Sequence, residues 1–99
     1  MATKVKEELT QSPEQIRDEA LIKMGDDAER LLKDDSFINI INSLAESTYA
    51  QFVNSKLEDK ELRDQIYAQY RGLTDIMGTL NQRVSVRNQI IERDSNEEE

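Results

Sequence analysis

Residues 66–84 read IYAQYRGLTDIMGTLNQRV, and the spacing of their apolar positions decides the fold. Ile66, Tyr70, Leu73, Met77, Leu80 and Val84 recur at alternating steps of four and three, and Ile91 extends the series after Arg87. Such steps line one side of an α-helix as a heptad seam. Tyr70, Met77, Val84 and Ile91 take one core position, and Ile66, Leu73 and Leu80 take the other. Ile76 and Ile90 widen the seam. With a start near Asp59 and no break before about Glu92, the pattern predicts a long C-terminal helix over 59–91. It would be ~32 residues and ~48 Å long at 1.5 Å per residue.

Gly72 and Gly78 lie off this seam, although each costs ~1 kcal/mol relative to alanine in a helix interior. Ala68, Gly72 and Thr79 share a face with Asp75, so the back of the helix is locally small. Two readings are open. The glycines are tolerated solvent positions, or a second helix approaches closely there, either from the N-terminal part of the chain or from another subunit.

Upstream, DDSFINIINSLAESTYAQFVNS predicts a helix over 36–53, capped by Asp34, Asp35 or Ser36. Phe37, Ile41, Leu44, Thr48 and Phe52 recur at helical spacing, with Ile38, Ala45 and Tyr49 alongside, and so form a wide, core-facing stripe. The β-branched run at 38–41 could suggest a strand, but Asn39 and the recurrence through residue 52 decide for helix. Residues 54–58 form a short connection, in which Leu57 is expected to pack as an anchor. Farther upstream, Ser12, Pro13 and Gln15 fit an N-cap, a first helical position and a capping box. They predict a helix over 13–33 with a narrow stripe of Ile16, Ala20, Met24, Ala28, Leu31 and Leu32, interrupted by Gly25. Residues 1–11 are expected to form a flexible arm, and the acidic tail 92–99 to be disordered.

The short connection makes the second and third helices an antiparallel hairpin. The second helix, ~27 Å long, reaches only to about Met77. Leu80, Val84, Ile90 and Ile91 overhang, and exposing them would forgo ~6–12 kcal/mol. Either the first helix continues along the third beyond the second and covers them, or another copy of the chain does. Because the first helix has a narrow stripe, the expected architecture is an all-α hairpin, with an added N-terminal helix, that assembles into a helical-bundle homo-oligomer. The expected oligomer or partner surface comprises Ala68, Gly72, Thr79, Leu80, Arg83, Val84, Arg87, Ile90 and Ile91.

Composition narrows the chemistry. The chain has no histidine and no cysteine, which removes triad-type nucleophilic sites, usual zinc sites and disulfides. Asp26/Asp27 and Asp34/Asp35 are sequence neighbours that do not share a helical face, and no calcium loop or phosphate-binding glycine loop occurs. Neither catalysis, a metal nor a cofactor is expected. The net charge of −8 argues against a general nucleic-acid surface. Arg71, Arg83, Arg87 and Arg93 form a sparse basic exception, best read as partners for acidic residues of the first helix or of another protein. The tyrosines and phenylalanines sit at core spacings. No run approaches the ~20 apolar residues of a membrane span, nor does the start resemble a signal peptide, so a soluble cytoplasmic protein is expected.

From about Asp35 to Ile91 the chain resembles short, mostly uncharacterised helical proteins encoded in tailed-bacteriophage genomes. The resemblance rests on the DDSF helix start, the aromatic helix end at QFVNS, and ELRDQIYAQYRGLTDIMGTL. It implies a virion-assembly or accessory role, with a larger phage or host protein as partner, in the host cytoplasm or the virion. Two alternatives stand beside it. One is a small acidic regulator whose carboxylates stand in for DNA phosphates; the other is a DNA-packaging component that uses the basic end of the third helix.

Overall fold

The structure is a computed structural model and describes residues 11–98. The expected arm therefore lies outside the described residues except for Gln11. Among the described residues there are three helices and no strand: α1 (Pro13–Leu32), α2 (Asp35–Asn54) and α3 (Lys60–Glu98). The chain is all-α.

Each boundary has a local cause. At the start of α1 the Ser12 hydroxyl accepts the Gln15 N–H (3.1 Å) and the Gln15 side chain accepts the Ser12 N–H (3.0 Å), a complete capping box ahead of Pro13. Lys33 closes α1 by donating its N–H to the Glu29 carbonyl. Asp34 is extended, and its carboxylate accepts the Phe37 N–H (3.1 Å), so α2 starts after a break of only two residues. At the far end, the Ser55 hydroxyl and N–H both donate to the Phe52 carbonyl, and the chain turns through 56–59 into α3.

The long helix exceeds expectation at its C-terminus. It runs to Glu98, so 92–98 are helical rather than disordered. No glycine or proline follows Gly78 to stop it, and Arg93 pairs with Asp18 of α1 at 2.7 Å.

Contacts fix the directions. The Arg63 guanidinium lies 4.3 Å from the Phe52 ring centroid, and Thr48 and Tyr49 share a groove with Ile66, Tyr67 and Tyr70. Hence α2 runs antiparallel to the first half of α3. Asp18 meets Arg93 while Glu29 meets Arg87, so α1 runs antiparallel to the second half. With 20 residues each, α1 and α2 together span ~60 Å, against ~58 Å for the 39 residues of α3. The two short helices lie in series along the long one. The result is a rod of 68 × 26 × 24 Å. Its radius of gyration is 20.7 Å, whereas a compact chain of this length has ~13 Å.

A rod two helices thick has little interior. The buried apolar residues are Ala28, Ile66, Leu80 and Ile90, with Leu73, Met77 and Val84 half-buried between them. Two residues of the expected seam, Tyr70 and Ile91, are exposed instead, and Arg87 and Ile90 take inner positions. The long helix is covered by α2 in its first half and by α1 in its second, and the face that α1 covers runs through Arg87 and Ile90 rather than Ile91. The stripe of α1 is also displaced. Ile16 and Leu31 face solvent, while Leu21, Ile22, Gly25, Ala28 and Leu32 lie inward. Leu57 is 79% exposed and anchors nothing.

Candidate functional site

The two halves of the rod are built differently. In the half formed by α1 and the end of α3, the close approach centres on Gly25. A Cβ placed there would lie 2.4 Å from the Arg87 Cβ and 2.8 Å from the Arg83 carbonyl oxygen. The missing side chain lets α1 settle directly on the α3 backbone, which is how a helix with a thin apolar stripe covers its partner.

Arg87 fills the space beside that contact. Its residue is 9% exposed, and its guanidinium donates to Asp26 (2.9 Å), to both Glu29 oxygens (3.1 and 3.2 Å) and to the Asn88 side chain. Each charged nitrogen is therefore satisfied, as burial of a guanidinium demands. The fork holds the Glu29 carboxyl below the usual carboxylate range; Glu29 and then Asp26 push the Arg87 guanidinium up in turn. Arg93, bonded to Asp18 and Asp94, is also raised, chiefly by Asp18. On the outer face, Lys23 and Arg30 bond to Asp27 and lower its pKa.

Four residues of the expected interaction surface thus lie within this half: Leu80, Arg87 and Ile90 are buried and Val84 is half-buried. The overhang is covered in cis by α1. Ala68, Gly72, Thr79 and Arg83 are exposed, and Ile91 is 47% exposed. At Gly72 and Gly78 nothing lies within 4 Å of an added Cβ, so the first helix does not approach them. The glycine that admits a helix is Gly25.

In the α2 half the apolar surface stays open. Of thirteen exposed large hydrophobic residues among the described ones, ten fall between Ile40 and Ile76, which locates the deficit in this half. On one side a groove of about 380 Å³ is lined by Thr48, Tyr49, Phe52, Ile66, Tyr67 and Tyr70. Leu57 borders a neighbouring depression that shares Phe52 and Tyr67. Elsewhere Ile40 and Leu44, one turn apart on α2, are open too. Thr48, though buried, is satisfied by donating to the Ala45 carbonyl at 2.9 Å.

The signal for this face is present in the sequence as an absence. Helix α2 carries only Asp35 and Glu46 as charges and no basic residue, whereas α1 of equal length carries nine charged residues. A helix exposed on three sides but nearly uncharged has the composition of an interface core.

Among the described residues, no cluster of His, Cys, Asp or Glu could hold a metal ion, and no helix is long and apolar enough to cross a membrane. What the fold and surface define is an all-α rod, closed and ion-paired at one end and apolar at the other. Comparison with protein-family models, with curated proteins and with solved structures gave no match.

Proposed function

We propose that this protein is a non-enzymatic helical interaction module that serves as a structural or virion-assembly accessory of a tailed bacteriophage, its α2–α3 hairpin supplying the contact surface of a helical-bundle assembly. The observation that carries this reading is the open apolar half: Tyr49, Val53 and Tyr67 are each 59% exposed or more, and the first two lie on α2, which has only two charged residues. Leaving such surface in water forgoes the burial energy that a chain with so small an interior needs. The phage setting rests on the sequence resemblance over 35–91.

The alternatives have less support. A DNA-packaging role needs free arginines at the end of α3, but Arg87 and Arg93 are engaged with Glu29, Asp26 and Asp18. A phosphate-mimicking regulator needs an array of outward carboxylates, and several of those in α1 are paired within the chain.

Site-specific photo-crosslinking in producing cells tests the reading. A photoreactive residue at Tyr49 is expected to give discrete protein adducts, and one at Glu19, on the closed half, is not. Adducts to capsid, tail or packaging proteins, or to another copy, support the assembly role. No adduct from Tyr49, or equal adducts from both positions, overturns it.

A further inference from the structure

We propose that the aromatic groove of α2 and α3 is occupied by the same groove of a second copy, the two hairpins closing about a two-fold axis into an antiparallel four-helix bundle. This rests on the interaction-module reading and names its first partner.

Two observations carry it. The first is area. Tyr49, Phe52, Tyr67 and Tyr70 are 68%, 37%, 59% and 44% exposed, which leaves on the order of 400 Å² of ring surface open. A stable interface takes ~800 Å² per partner. Val53, one turn from Tyr49, and Leu57, beside Phe52 and Tyr67, extend the patch toward that figure. The patch suits the facing layer of a bundle, where both partners bring the same rings.

The second is charge. Two copies of a chain at −8 repel each other, so they can meet only where the surface is close to neutral. Between Lys60 and Leu80, α3 carries Lys60, Arg63 and Arg71 against Glu61, Asp64 and Asp75, which balance, and the facing α2 has two acids in twenty residues. The α1 surface, with six acidic residues against three basic ones, would oppose such a meeting.

Light scattering on a size-exclusion column, over a hundredfold concentration range, tests this with the full chain. The expected mass is twice the 11.5 kDa of the chain. Tyr49→Glu with Tyr67→Glu should raise the dissociation constant at least a hundredfold while the helical circular dichroism is retained, because both side chains already face solvent. Ile91→Glu should leave the dimer intact. Because the chain has no cysteine, a single Tyr70→Cys variant gives a second readout: oxidation should link two copies, whereas Thr79→Cys should not. A wild-type monomer throughout, a dimer indifferent to the tyrosine changes, or one dissociated by Ile91→Glu would overturn the proposal. If the monomeric chain still crosslinks from Tyr49 to a different protein, self-docking fails and the interaction reading stands.

Discussion

Replacing Gly25 by alanine sets two known effects against each other, and the structure decides the sign. In an isolated helix the change is stabilising by ~1 kcal/mol, since glycine is the poorer helix former. Here the new methyl would sit 2.4 Å from the Arg87 Cβ, 2.8 Å from the Arg83 carbonyl oxygen and 3.0 Å from the Arg87 Cδ. Carbon atoms in ordinary contact lie ~3.5–4.0 Å apart, so α1 must withdraw from α3 by about an ångström. One of the obstructing atoms belongs to the backbone and cannot rotate away. Overpacking of this kind costs ~1–3 kcal/mol. Withdrawal also stretches the 2.9 and 3.1 Å bonds from Arg87 to Asp26 and Glu29. The net expectation is a loss of up to about 2 kcal/mol, or a melting temperature lower by up to roughly 15 °C for a domain of this size. Gly72→Ala and Gly78→Ala supply the comparison. Neither meets an atom within 4 Å, so each should raise the melting temperature through helix propensity alone. The assay is thermal unfolding by circular dichroism at one fixed protein concentration, because association would shift the midpoint. A rise for Gly25→Ala matching the other two would refute the close approach of α1. A fall for Gly72→Ala or Gly78→Ala would show that the back of α3 is covered by another copy.

Acidification should loosen the α1 half. The folded Glu29 carboxyl is held below its ordinary value of 4.5 by Arg87, so its contribution is present above that value and is lost as pH falls through the depressed one. Protonation also relieves the overall negative charge, so the measurement is the difference in melting temperature between wild type and Glu29→Gln from pH 7 to pH 3: it should shrink below about pH 4.5, and a constant gap would count against the pair. Asp34→Ala removes the acceptor of the Phe37 N–H and should cost ~1 kcal/mol, with amide exchange rising first at the start of α2. Unchanged exchange at Phe37 and Ile38 would mean that the cap is dispensable.

The parts of the fold governed by local chemistry could be read from the sequence. Ser12, Pro13 and Gln15 announce the start of α1 to the residue, and the start of α2 narrows to Asp34, Asp35 or Ser36, of which Asp34 is the cap, because capping depends on near neighbours alone. The course of α3 from Ile66 to Val84 follows from its periodicity. What escaped reading depends on contacts distant in sequence. Gly25 looks like an interruption because a hydrophobicity pattern scores what a side chain adds, and here the contact is made by what is missing. Arg87 looks like a gap in the seam because its burial is tolerable only with Asp26 and Glu29 beside it, some sixty residues away. The same blindness placed the open surface at Leu80–Ile91. Once Gly25 lets α1 seal that stretch, the open surface moves to the α2 half, where the shortage of charge in α2 had been the legible sign.

The division of the rod into two halves gives dissolved ions opposite effects on its two ends. At 1 M salt, electrostatic interactions are screened over ~3 Å. The Arg93–Asp18 pair, with Arg93 about half open to solvent, is the contact most weakened, and it lies at the tip. The Arg87 fork, shielded by α1, is affected less. Excluded anions such as sulfate meanwhile strengthen apolar burial and so raise the cost of leaving Tyr49 and Tyr67 exposed. Brine would fray the ion-paired tip of the molecule while making the open rings at its other end costlier to leave in water.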